Sequence, residues 1–165
     1  YYSGSYLDYR NPKIGPQNML HNLTFAFAIS AVIAGAANAD VHEVQMLNRT
    51  DDARMAFEPA FLEIAAGDTV RFLAPDRGHN AETIDGMFPD AASAFKGDIN
   101  EELEFTFDVS GLYGIKCKPH FTMGMVMTIA VGDVAEVPAS FLEGRLSNKA
   151  RNRFEEQIAS GNLGQ

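Results

Sequence analysis

"ELEFTFDV", residues 102–109, sets Leu103, Phe105, Phe107 and Val109 on one side and charged or polar residues on the other. Strict alternation of this kind marks a half-buried β-strand, because successive side chains of an extended chain point to opposite faces. Its neighbours read the same way. "VHEVQML" (41–47) alternates, and "MAFEPAFLEI" (55–64) is rich in β-formers and carries Pro59, which points to an edge or a bend. "AAGDTVRFLAP" (65–75) places a Gly67-Asp68 turn before a strand with Val70 and Phe72. "GLYGIKC" (111–117) follows across Ser110-Gly111, and "MVMTIAV" (125–131) is continuously apolar. Short strands separated by turns predict an antiparallel β-sandwich. Beyond residue 137 the character changes. "PASFLEGRLS" (138–147) and "SNKARNRFEEQIAS" (147–160) read as two helices, the second capped by Ser147 and carrying Ala150, Phe154 and Ile158 on one stripe.

A chain of 165 residues, 46% hydrophobic and 21% charged, suits one domain. Residues 1–18 are polar and aperiodic, and read as an upstream extension outside the fold. Residues 19–39 read as a secretory signal peptide, with an apolar run from Leu23 to Ala37 and an A-x-A cleavage site at Ala37-Asn38-Ala39. The run is shorter than the ~20 residues a bilayer span needs, which sets a cleaved leader against an N-terminal anchor or a buried helix. The folded domain is then 40–165, with no membrane association after cleavage. Export implies an oxidising compartment, where the single cysteine, Cys117, lacks an internal disulfide partner and needs another reason to exist. Removing residues 1–39 takes away Arg10, Lys13 and Asp8, leaving 11 basic against 21 acidic side chains and a formal charge of −10. That balance, with no Gly-rich phosphate loop, argues against nucleic acid, whose binding rests on basic neutralisation of phosphates.

"KCKPHFTMGM" (116–125) concentrates unusual chemistry. Cys117, His120 and Met125 fall in one loop between strands, and His79 stands upstream in "DRGHNAET" (76–83). Two imidazoles, a thiolate and a thioether make a mixed hard–soft set, suited to a copper ion stable as both Cu(I) and Cu(II) in a His₂Cys plane with a weak axial Met. A structural zinc site more often pairs cysteines, and methionine is foreign to it. Each residue alone has an ordinary reading: a buried Cys is usually a small hydrophobe, Met125 can be strand core, and His79 can cap a turn. A Cys–His hydrolase with Cys117 as nucleophile would want an orienting group and an oxyanion hole, whereas Lys118-Pro119 follows it in a strand–loop setting. A catalytic oxidase needs an open coordination position, and all four ligands are committed. His42 has no evident partner and reads as a surface residue. Asn80, beside His79, is placed to hydrogen-bond the Cys117 sulfur or to tie the two ligand loops together. Pro119 lacks an N–H and cannot donate to the thiolate.

The stretches "MLNR", "MAFEPAFLEIAAGDTVRFLAPDRGHN", "FKGDINEE", "GLYGIKCKPHFTMGMVMTIAVGD" and the helical tail resemble the pseudoazurins, blue-copper proteins of the cupredoxin family, almost end to end of the 40–165 segment. The Cys-x2-His-x4-Met spacing differs from azurin-like and amicyanin-like loops; plastocyanins share it but end soon after their last strand. The resemblance implies an all-β, eight-stranded Greek-key sandwich with two C-terminal α-helices. It implies one copper, cycling between Cu(I) and Cu(II), on His79, Cys117, His120 and Met125, with Met123 two residues short of the axial position. It also implies a monomeric, periplasmic one-electron shuttle between a cytochrome-like donor and a copper nitrite reductase-like acceptor of denitrification. Electrons would cross at the exposed edge of His120, ringed by Met55, Pro119, Phe121 and Met123. Arg49, Arg77, Lys96, Lys116 and Lys118 would form a basic ring that steers the partner. The alternative is a periplasmic copper-binding or copper-delivery protein using the same ligands without redox partners.

Overall fold

In the computed structural model, which describes residues 39–163, the segments read as strands account for seven strands, and the short pair Glu82–Thr83 adds an eighth. These are β1 (Val41–Arg49), β2 (Arg54–Glu58), β3 (Phe61–Ile64), β4 (Thr69–Leu73), β5 (Glu82–Thr83), β6 (Leu103–Thr106), β7 (Gly111–Lys116) and β8 (Val126–Val131). The predicted extension and leader lie outside the described residues, Ala39 excepted. Two four-stranded sheets result, ordered β2-β1-β4-β6 and β3-β8-β7-β5. The pairing is mixed rather than purely antiparallel, since β1 runs parallel to β4 and β3 parallel to β8. Chain crossings explain the difference. β2 and β3, separated by Pro59 and Ala60, lie in different sheets, as do β3 and β4, so several neighbours within a sheet are not joined by hairpins.

The inward-facing set closes between the sheets: Val44, Met46, Phe57, Val70 and Phe72 from one, and Tyr113, Ile115, Met127, Ile129 and Val131 from the other. Each fully buried side chain of this size contributes roughly 1.5–3 kcal/mol of transfer free energy. The opening alternation survives on edge strand β6, where Leu103 and Phe105 are half-buried and Glu104 and Thr106 exposed. Phe107 lies just past the ladder, fully buried, with its N–H on the Asp68 carbonyl.

All six residues of β8 are buried because both faces are covered. Met127, Ile129 and Val131 face the main core, while Val126 and Ala130 join a second cluster with Phe141, Ala150 and Phe154. That second cluster is the seat of the C-terminal helix, α1 (Asn148–Ser160). The Ser147 Oγ accepts from the Ala150 N–H at 3.1 Å, giving the expected cap. The other predicted helix is not an α-helix. Residues Ala139–Leu142 form a single 3₁₀ turn after Pro138, and Gly144 follows before an α-helical ladder can propagate. Among the described residues no helix is long and apolar enough to cross a membrane.

Candidate metal centre

His79 sits in the long connection after β4, and its backbone is braced from residue 100. The Asn100 side chain accepts from the Gly78 N–H at 2.6 Å, and the Asn100 N–H donates to the His79 carbonyl at 2.8 Å. The imidazole is held on its far side, with Nε2 3.0 Å from Asn48 Oδ1. An amide oxygen accepts only, so His79 is the Nε2–H tautomer and its Nδ1 lone pair faces inward.

Cys117 terminates β7, and the chain then makes a 3₁₀ helix over Lys118–Met123, opened by Pro119 and closed by Gly124 at φ 86°. This loop is latched by its own backbone. The Cys117 N–H donates to the Met125 carbonyl at 3.0 Å, and the Met125 N–H donates to the His120 carbonyl at 3.1 Å. The start of β8 is thereby tied to both other chemical residues of the loop.

The three donor groups converge. Cys117 Sγ lies 3.7 Å from His79 Nδ1 and 3.5 Å from His120 Nδ1, and the two Nδ1 atoms are 3.1 Å apart. Among the described residues these ligand atoms form the one group of His, Cys, Asp and Glu donors placed for a metal, all within 4.8 Å of one another. His79, Cys117 and Met125 are fully buried, while His120 is half-buried. Burial, and then the neighbouring His120, push the His79 pKa down. Burial also pushes the Cys117 thiol up, against the opposing backbone N–H groups of Asn80 and His120. Both shifts favour the uncharged forms of His79 and Cys117, so the thiol gives up its proton when the sulfur binds a cation. Two nitrogens and a sulfur, with no carboxylate in the group, fit copper.

Around the site the Asn80 side chain spans the two loops. Its Oδ1 accepts from the Lys118 N–H at 2.8 Å, and its Nδ2 donates to Glu82 Oε2 and the Gly97 carbonyl, both at 3.1 Å. The Asn80 backbone N–H, rather than its side chain, works to lower the Cys117 thiol pKa. Buried Glu82 also pairs with Lys116 at 3.3 Å, and the Lys116 ammonium lies 5.3 Å from the Phe121 ring centroid. Asn48, Asn100 and Glu82 are absent from the sequence reading, because an amide or carboxylate distant in the chain carries no local pattern.

At the surface Pro119 and Met123 are exposed, the latter to 43%, beside half-buried Phe121 and Met55. Arg49, Arg77, Lys96 and Lys118 are exposed, whereas Lys116 is half-buried in its ion pair. His42 departs from expectation. Its Nε2 lies 2.9 Å from Asp68 Oδ2, a partner 26 residues away that extended pairing of β1 with β4 brings close.

The family profile described as copper binding proteins of the plastocyanin/azurin family matches residues 44–132. The pseudoazurin of Paracoccus pantotrophus is 39% identical over 142 residues, covering 86% of this chain and 98% of that protein. A putative pseudoazurin of Rhizobium leguminosarum bv. viciae is 44% identical over 134 residues, covering 80% and 88%. In structure, the pseudoazurin of Methylobacterium extorquens AM1 superposes with a TM-score of 0.69 at 36% identity, over 73% of this chain and 98% of that one.

Proposed function

The chain belongs to the plastocyanin/azurin family of copper-binding proteins, among its pseudoazurins, and from that membership we propose a periplasmic one-electron carrier whose copper is held by His79, Cys117, His120 and Met125. The protein is a blue-copper electron-transfer protein with a single copper site. The convergence of the His79, Cys117 and His120 donor atoms within 4.8 Å is the observation that carries the ligand assignment. Met125 is favoured over Met123 because it is fully buried immediately before β8, whereas Met123 is 43% exposed.

Bound copper supplies a centre that alternates between Cu(I) and Cu(II). The chain supplies the rest. Asn48 fixes the His79 tautomer, Asn80 and Asn100 brace the two ligand segments, and the buried Cys117 and Met125 keep water away. A frame held this firmly changes little with oxidation state, which keeps the reorganisation cost of electron transfer low. His120 is the exit, since it alone among the four is not fully buried.

The apolar rim of Met55, Pro119, Phe121 and Met123 suits close approach of a second redox centre without intervening water. Arg49, Arg77, Lys96, Lys116 and Lys118 suit an acidic partner surface, which supports a copper nitrite reductase-like acceptor and a cytochrome-like donor. Residues 19–39 are proposed as the leader and 1–18 as an extension outside the fold, so the exported chain would begin at Asp40. N-terminal sequencing of the exported protein checks this.

Loading the chain with Cu(II) tests the whole reading. An intense blue thiolate-to-copper band, a narrow copper hyperfine splitting and one copper per chain are expected, with the band abolished by Cys117→Ser. A colourless protein that takes up only zinc sinks it.

A further inference from the structure

Arg153 lies midway along α1, and its guanidinium is committed to three backbone carbonyls. Nη1 donates to Met55 at 2.8 Å and to Gly124 at 2.6 Å, while Nη2 donates to Arg54 at 2.9 Å. Two of these acceptors belong to residues in left-handed backbone, Met55 at φ 53° and Gly124 at φ 86°. A non-glycine residue keeps that conformation only where its surroundings compensate, and a charged donor on the Met55 carbonyl is such a compensation. Burial works against the charge of Arg153, which makes the carbonyls its necessary partners.

Gly124 immediately precedes Met125, and the helix presses directly on it. A Cβ added there would meet Lys149 Cβ and the Lys149 carbonyl at 3.2 Å and Arg153 Cδ at 3.3 Å. Met55 in turn packs against the core cluster that contains Cys117 and Met125. The latches described above hold the Met125 peptide from the loop side; Arg153 holds the preceding carbonyl from the helix side.

The geometry points to Arg153 as a positioning residue of the metal centre: through one guanidinium nitrogen the C-terminal helix grips Gly124 and Met55 together, and so sets where Met125 enters β8. The inference rests on the proposed ligand role of Met125. It gives α1 a task beyond covering the second cluster.

The test compares Arg153→Met, nearly isosteric and neutral, with Phe141→Leu, which weakens the cluster under α1 without touching Gly124 or Met55. In the copper-free chain, hydrogen exchange at the Met125 and Val126 amides is expected to run about tenfold or more faster in Arg153→Met than in Phe141→Leu, as fits loss of a charged donor to a buried carbonyl. In the copper-loaded chain, the intensity ratio of the thiolate-to-copper bands and the hyperfine splitting should shift in Arg153→Met and stay put in Phe141→Leu. Arg153→Lys keeps the charge without the planar fork; it covers the case in which Arg153→Met does not fold, and should move the same readouts less. Equal exchange and equal bands in the two variants overturn the inference. Faster exchange with unmoved bands also overturns it, and unmoved bands in Met125→Leu would trace that failure to the ligand assignment instead.

Discussion

His79 presents a lone pair to the site because Asn48, 31 residues earlier, occupies the other side of its ring. Outer partners of this kind fix ring orientation and tautomer, and their loss typically weakens metal binding ~10–100-fold. Asn48→Ala is therefore expected to lower copper affinity by about that factor, read by competition against a Cu(I) chelator, while far-ultraviolet dichroism stays unchanged. Pro119 acts by what it lacks. The backbone N–H groups of Asn80 and His120 already work to lower the Cys117 thiol pKa, and proline at 119 offers no further N–H. Pro119→Ala restores an N–H there; if that group reaches the sulfur it draws charge off the thiolate and favours Cu(I). The reduction potential should rise, and an unchanged or lower value in voltammetry counts against the argument.

At the level of elements, the turn between β3 and β4 and the helix α1 each hang on one side chain. The Asp68 carboxylate is 4% exposed and accepts from the Asp40 N–H, the Ala65 N–H and His42 Nε2, each at 2.9 Å. The bond from His42, then that from Asp40, holds its pKa below the usual 3.8, against desolvation. A carboxyl depressed in the folded state contributes stability that is fully present above its unfolded value of 3.8 and is lost as pH falls through the lower folded value. Acid unfolding of Asp68→Asn should accordingly show a flatter pH dependence below that point than the parent. For α1, Ser147→Ala removes the acceptor for the Ala150 N–H. A loss of about 1 kcal/mol is expected in denaturant unfolding of the copper-free chain, with the slope unchanged.

For the whole molecule, residues 40–165 carry a formal charge of −10, while the proposed docking face gathers arginines and lysines. A basic patch on an acidic body makes a dipole that orients encounter with an acidic partner, and salt screens it. Association rates with a copper nitrite reductase should fall steeply with ionic strength, and salt-independent rates in stopped flow would sink the steering argument. The individual charges are not equal. Lys116 is paired with Glu82 and lies over Phe121, whereas Lys118 is exposed. Lys116→Glu should slow association, but it also sets two carboxylates together beneath the Asn80 network. Lys118→Glu is the cleaner probe: it should slow association with the blue spectrum intact.

Much of this protein is legible in its sequence alone. Alternation in 102–109 and the apolar run of 125–131 predicted strands because side-chain direction follows from backbone geometry alone, and the ligand types of 116–125 pointed to copper because donor softness belongs to each residue. Helix length was less legible, since 138–147 contains helix-formers but no room between Pro138 and Gly144 for a ladder. Tertiary structure decided what depends on residues distant in the chain meeting: the parallel pairing of β1 with β4 and β3 with β8, the joining of His42 to Asp68, of Asn48 to His79, and of Arg153 to Gly124. A hydrogen bond across 26 to 31 residues leaves no periodic trace, because its partners are brought together by the packing of the two sheets and α1 rather than by their spacing along the chain.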